Sequence, residues 1–150
     1  MTRTTLYVSL FLFGNLTCHA HTNATCQALL VIDHQVGLAQ LVRDYSTNDF
    51  RNNMLAHAAI GNVFDLPTVL TTSSDTGPNG LLLKEIRDMH PNATLVQRQG
   101  EVNAWDNEEF RAAVRATGKK QLIIGGIVTE VCKLLLFSLC QFKYQHLLTV

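Results

Sequence analysis

Residues 28–33 read ALLVID, five apolar residues in a row and then an acid. A strand with one wet face alternates polar and apolar residues, so an unbroken apolar run is the pattern of a parallel strand covered on both faces. QLIIGGIV, residues 121–128, has the same character. Two weaker runs lie between them. DLPTVLTTS reads as a loop and a second strand, and ATLVQR, residues 93–98, as a third. The intervals carry helix signals. Thr47 or Asn48 can cap a helix whose Phe50, Met54, Leu55, Ala58 and Asn62 share one mostly apolar face. Thr76-Gly-Pro-Asn-Gly is a turn, and LLLKEIRDMH after it is a short amphipathic helix stopped by Pro91-Asn92. In AWDNEEFRAAVRATGKK, Asp106 is the expected N-cap, with Glu109 completing a capping box. Phe110, Ala113 and Val114 form that helix's inner stripe, and Gly118 ends it. Thr129 or Glu130 opens a last helix. Strand and helix alternate throughout, so the expectation is a three-layer α/β/α, Rossmann-like parallel sheet with right-handed crossovers.

A chain of 150 residues supplies one domain, and 47% apolar with 16% charged residues gives that domain a core. Formal net charge is zero and there is no basic run, which argues against nucleic acid as a partner. TLYVSLFLFG, residues 5–14, is apolar but too short to span a bilayer, and Cys18-His19-Ala20 suits a leader-peptide cleavage site. Residues 1–20 are therefore expected to be a signal peptide or an unrelated N-terminus. The first alternative implies secretion and the second a cytoplasmic protein, with no membrane partner in the mature form. In an exported chain Asn23-Ala-Thr and Asn92-Ala-Thr would be glycan acceptors. The four cysteines, Cys18, Cys26, Cys132 and Cys140, contain no C-x-x-C pair, so neither a zinc site nor a disulfide framework is implied. Cys26 and Cys140 read as small buried hydrophobes.

In open parallel sheets ligands bind beyond the carboxyl ends of the strands, near the point where strand order reverses. That rule selects three residues far apart in sequence. Asp33 ends the first strand, Arg98 ends the third, and Cys132 lies just past the fourth, in the first turn of a helix. A helix N-terminus favours the thiolate. A carboxylate nearby can take the thiol proton and return it to a leaving group. A cation can hold that acid or a developing oxyanion. Together these are the parts of a cysteine hydrolase. His34 is expected to pack or to bond backbone, and His57 and His90 to lie on helix surfaces.

Several motifs fall in order between residues 28 and 133: LLVIDHQVGL with LVRD, FRNN, LPTVLTTSSDTGPNG, QRQGEVNAWDNEEF and ATGKKQLIIGGIVTEVC. Together they resemble the isochorismatase-like cysteine hydrolases, in the YcaC-type branch. The resemblance implies a domain over 26–150 and a catalytic set of Asp33, Arg98 and Cys132, with arginine where much of the family has lysine. Arginine stays charged, so an electrostatic role suits it better than proton transfer. The resemblance also implies a cis peptide between Val128 and Thr129, with backbone N–H groups from Thr129 to Cys132 forming an oxyanion hole. Asn103, Trp105 and Asp106 either shape the substrate pocket or staple the helix start. Metal-binding relatives carry histidines after the second strand. TTSSDTGPNG has none, so no metal and no cofactor are expected. The implied activity is hydrolysis of a small amide or related acyl compound, in a homo-oligomer. Two departures stand out. Lys133 follows the nucleophile, and the chain stops where the family's C-terminal strands would begin. Those strands are expected to be missing, which leaves the fourth strand with an open edge. A truncated chain of this kind also suits a catalytically inactive paralogue or an interaction subunit of a full-length hydrolase.

Overall fold

The computed structural model describes residues 26–43, 45–127 and 146–149. The expected signal peptide, Val128, Thr129, Cys132, Cys140 and the last helix lie outside the described residues. The described elements are β1 (Gln27–Ile32), α1 (Val36–Ala39), α2 (Thr47–Val63), β2 (Thr68–Ser73), α3 (Lys84–Met89), β3 (Thr94–Arg98), a 3-10 turn (Ala104–Asp106), α4 (Glu108–Ala116), β4 (Gln121–Gly126) and β5 (His146–Thr149). The sheet is parallel throughout, in the order β3-β2-β1-β4-β5.

Central β1 is buried at all six positions, as its unbroken apolar run requires. Its residues divide by parity. Ala28, Leu30 and Ile32 join Val96, Trp105, Phe110 and Val114 on the face that α4 covers. Leu29 and Val31 join Met54, Ala58, Leu70 and Ile86 on the face that α2 and α3 cover. The three-layer α/β/α arrangement is thus present. Among the described residues no helix is long and apolar enough to cross a membrane.

Five details differ from the sequence reading. First, β4 does not have an open edge. It pairs with β5 in parallel, from Gln121 opposite His146 to Ile124 opposite Thr149. Second, α2 is capped by Ser46, whose hydroxyl accepts from Asp49 N at 3.2 Å, while Thr47 is already helical. Third, α4 is capped by Asn107, whose Oδ1 accepts from Phe110 N at 2.9 Å. Asp106 is unavailable for that task because it closes the preceding 3-10 turn. Fourth, Cys26 is disulfide-bonded.

Fifth, His57 and His90 are buried, not on the surface. Both rings fill space that glycines leave open. A Cβ on Gly125 would lie 2.4–2.6 Å from three atoms of the His57 ring, and one on Gly61 would lie 2.7 Å from His90 Cε1. The His90 ring also hydrogen-bonds the Ala58 carbonyl, with Nε2 at 2.8 Å. Gly125 of β4 is therefore a packing device, letting α2 sit close to the sheet. Gly125→Ala should destabilise by about 1–3 kcal/mol, because the added methyl overpacks an interior that has no slack. Urea unfolding would measure this, and an unchanged midpoint would contradict the packing.

Candidate active site

β1 ends and the chain turns at once. Asp33 takes a left-handed backbone conformation, with φ of +57°. Aspartate tolerates this region better than most side chains. Its N–H still donates to Thr71 O at 2.9 Å, and its carbonyl accepts from Gln35 N at 2.7 Å. The turn leaves the carboxylate at the carboxyl edge of the sheet, buried.

Arg98 is the last residue of β3, two strands away, and crosses β2 to reach Asp33. Its Nη2 donates to both carboxylate oxygens, and both side chains are essentially inaccessible. The rest of the guanidinium is held as well. Nε donates to Thr71 Oγ1 at 3.0 Å, and Nη1 to the Glu101 carbonyl. Thr71 Oγ1 in turn donates to Val96 O at 2.9 Å. All three guanidinium nitrogens are thus engaged inside the protein, as a buried cation requires.

The segment that supplies the Glu101 carbonyl is itself braced. The Glu101 carboxylate accepts from Asn107 Nδ2 at 2.9 Å and from Gly100 N at 3.2 Å. These donors, Asn107 foremost, hold its pKa below the ordinary glutamate value. Asn103 and Trp105 are buried in the same turn. Asn103 Oδ1 accepts from Trp105 N at 3.1 Å, and the Trp105 ring meets Phe110 edge-on at 6.2 Å. His34 meets His57 edge-on at 5.5 Å under the carboxyl edge, buried as expected.

Gln35 was not singled out by the sequence reading, although it stands two residues after Asp33. Its side chain is completely buried. Oε1 accepts from Ser73 N at 2.9 Å, and Nε2 donates to Ser73 O at 3.0 Å, to Asp75 Oδ1 at 3.3 Å and to the Gly80 carbonyl. One amide therefore fastens both ends of the 74–80 loop to the segment that carries Asp33. A polar residue after a strand reads as loop, and only the tertiary contacts reveal its task. Thr71 was likewise not singled out, although it lies within the LPTVLTTSSDTGPNG stretch, because nothing local marks its hydroxyl as the partner of Arg98.

The structure brings Asp33 and Arg98 together, as the sequence reading anticipated. Strand order reverses between β1 and β4, the crevice where parallel sheets bind ligands. Ile127 N donates to Ile32 O at 3.2 Å, so the segments after β1 and β4 leave the sheet side by side.

This arrangement agrees with comparison to known proteins. A family model described as the isochorismatase domain matches residues 27–134. The chain belongs to the isochorismatase family.

Within the family its similarity is to YcaC. The probable hydrolase YcaC of Escherichia coli (strain K12) is 55% identical over 105 residues, which are 70% of this chain and 50% of that protein. The chain thus spans about half the length of this curated relative. YcaC from Pseudomonas aeruginosa, solved with hexane-2,5-diol and covalent acrylamide, matches with a TM-score of 0.82 and 46% identity, over 90% of this chain and 67% of that one. The Escherichia coli YcaC structure, described as an octameric hydrolase of unknown specificity, has a TM-score of 0.82 and 45% identity, over 90% and 66% respectively.

Proposed function

We propose that this chain is a hydrolase of small amides or related acyl compounds, acting through an acyl-enzyme on Cys132. The observation that carries the reading is the buried Asp33–Arg98 pair at the carboxyl edge, beside the segment that leads to Val128. In this reading the Cys132 sulfur attacks the substrate carbonyl carbon while Asp33 takes the thiol proton. A C–S bond forms and the carbonyl π electrons move to oxygen. Backbone N–H groups from Thr129 to Cys132, following the Val128 peptide, receive that charge. Collapse breaks the C–N bond, and the departing amine takes the proton from Asp33. Water then gives a proton to Asp33 and its oxygen to the thioester carbon. The C–S bond breaks, the acid departs, and the proton returns to sulfur.

Arg98 serves here as a positioning residue. Its nitrogens are committed to Asp33, Thr71 and Glu101, so its task is to orient the carboxylate. Two features of relatives support the reading. The Pseudomonas aeruginosa protein carries a covalent acrylamide, an electrophile that reacts with nucleophiles such as thiols. The Escherichia coli protein is described as an octameric hydrolase. Assembly with further copies of this chain belongs to the same proposal.

The test is the rate of iodoacetamide labelling at each cysteine against pH, read by mass spectrometry, with the Cys26 disulfide reduced by a phosphine. Cys132 should label faster in the native than in the unfolded chain, with an apparent pKa below the reference of about 8.5. Labelling at the unfolded rate would sink the acyl-enzyme reading.

A further inference from the structure

The turn that joins α3 to β3 carries Asn92-Ala93-Thr94, an N-x-T sequence. Its backbone closes without help from the asparagine side chain. Ala93 N donates to His90 O at 3.2 Å, which makes Pro91 and Asn92 the central pair of a four-residue turn. Arg87 Nη1 donates to the Ala93 carbonyl at 3.2 Å and braces the exit. Asparagine is common in turns because its side chain bonds nearby backbone. Asn92 is not used in that way. Among the described residues neither its amide nor the Thr94 hydroxyl has a hydrogen-bond partner, and both residues are exposed. Other asparagines of the domain spend their amides inside the fold. Asn62 Nδ2 donates to Met89 O, Asn79 Nδ2 to Ser73 O and Asn107 Nδ2 to Glu101 Oε1, each at 2.9 Å.

The surroundings leave room for a bulky group. β3 stands at one end of the strand order, and among the described residues it pairs only with β2. Its outer side therefore carries no further strand, and Thr94 is its first residue. Two features elsewhere suit the compartment in which such groups are attached. Residues 1–20 have the pattern of a leader peptide. Cys26 is disulfide-bonded, which is the chemistry of an oxidising compartment.

We infer that Asn92 is an N-linked glycosylation site. The donor is an oligosaccharide carried on a lipid pyrophosphate. Asn92 Nδ2 forms a bond to C1 of the first sugar, and the C–O bond from that carbon to phosphate breaks. The lipid pyrophosphate leaves, and the amide gives up one proton. Because the amide makes no bond in the fold, the folded chain can hold the sugar without losing a contact. Its test needs no turnover, so the site stands or falls apart from the hydrolase reading above.

The experiment is cell-free translation of the full chain with endoplasmic-reticulum microsomes. Resistance to added protease reports entry, and gel mobility reports the number of glycans. Wild type should enter the microsomes, and Asn92→Gln and Thr94→Ala should each run one glycan step faster. Thr94→Ser, which keeps the hydroxyl, should run with wild type. Release of the sugar by an amidase in heavy-oxygen water should leave labelled aspartate at position 92, read by mass spectrometry. A protected chain without a sugar at Asn92 would overturn the inference. So would a chain that stays open to protease, since Asn92 would then never meet the transferase. Stability supplies an independent check. Asn92→Gln should leave the urea midpoint of the unmodified protein unchanged, because surface groups without partners contribute little. A lowered midpoint would mean that the fold already uses the amide, and would also count against the site.

Discussion

Arg98→Ala should lower the unfolding free energy by about 3–5 kcal/mol, because it leaves the Asp33 carboxylate buried without its cation. The effect is large for a domain whose whole stability is on the order of 5–15 kcal/mol. It reaches beyond one ion pair, since the guanidinium also bonds Thr71 Oγ1 and the Glu101 carbonyl. Arg98→Lys keeps a charge but cannot make the same set of bonds, so it should fall between wild type and alanine. Urea unfolding followed by circular dichroism measures both. The cause is separable by a double-mutant cycle. In an Asp33→Asn background the charge is already gone, and Arg98→Ala should cost less than it does in wild type. A loss under about 1 kcal/mol, or equal losses in the two backgrounds, would show that the pair is not the strong internal contact the geometry describes.

Asp33→Asn should reduce turnover of small amides by roughly 10²–10⁴-fold, the usual span for removal of a general acid–base group. Asparagine tolerates the left-handed conformation at position 33, where φ is +57°. It is also nearly the same shape as aspartate, so the β1 turn should survive. The lost group is the one that accepts the thiol proton, so native Cys132 should lose its advantage in iodoacetamide labelling at the same time. Loss of turnover with retained rapid labelling would mean that Asp33 acts after thiol activation, on the leaving group or on water. Retention of both would remove Asp33 from the chemistry. The variant's own unfolding curve shows whether it remains folded under assay conditions.

Much of the fold was legible in the residues. Unbroken apolar runs at 28–32 and 122–124 read as strands covered on both faces, and the structure buries them so. Phe110 and Val114 were legible as an inner helix stripe because helical periodicity is local. The ends of elements were harder. Ser46 and Asn107 won the caps over their neighbours by one residue, since several short polar side chains in a row can each perform that task. The partner of β4 was misjudged because pairing between 121–124 and 146–149 leaves no mark in either segment. His57 and His90 were misjudged because the glycines that admit their rings, Gly125 and Gly61, declare nothing locally about what approaches them.

The sequence by itself determined the alternation of strand and helix, the parallel sheet, and the two residues, Asp33 and Arg98, that end strands at one edge. These depend on hydrophobic periodicity and on position within an element, which neighbouring residues are enough to specify. The tertiary structure alone decided that Arg98 crosses β2 to hold Asp33 with both nitrogen-rich flanks engaged, and that Gln35 fastens the 74–80 loop. It alone gave the Asp75 carboxylate the side-chain amides of Gln35 and Gln97 as partners. Each of those facts concerns where a polar side chain finds its hydrogen bonds. Most of those bonds run to residues tens of positions away in the chain, brought within hydrogen-bond distance only when the sheet forms.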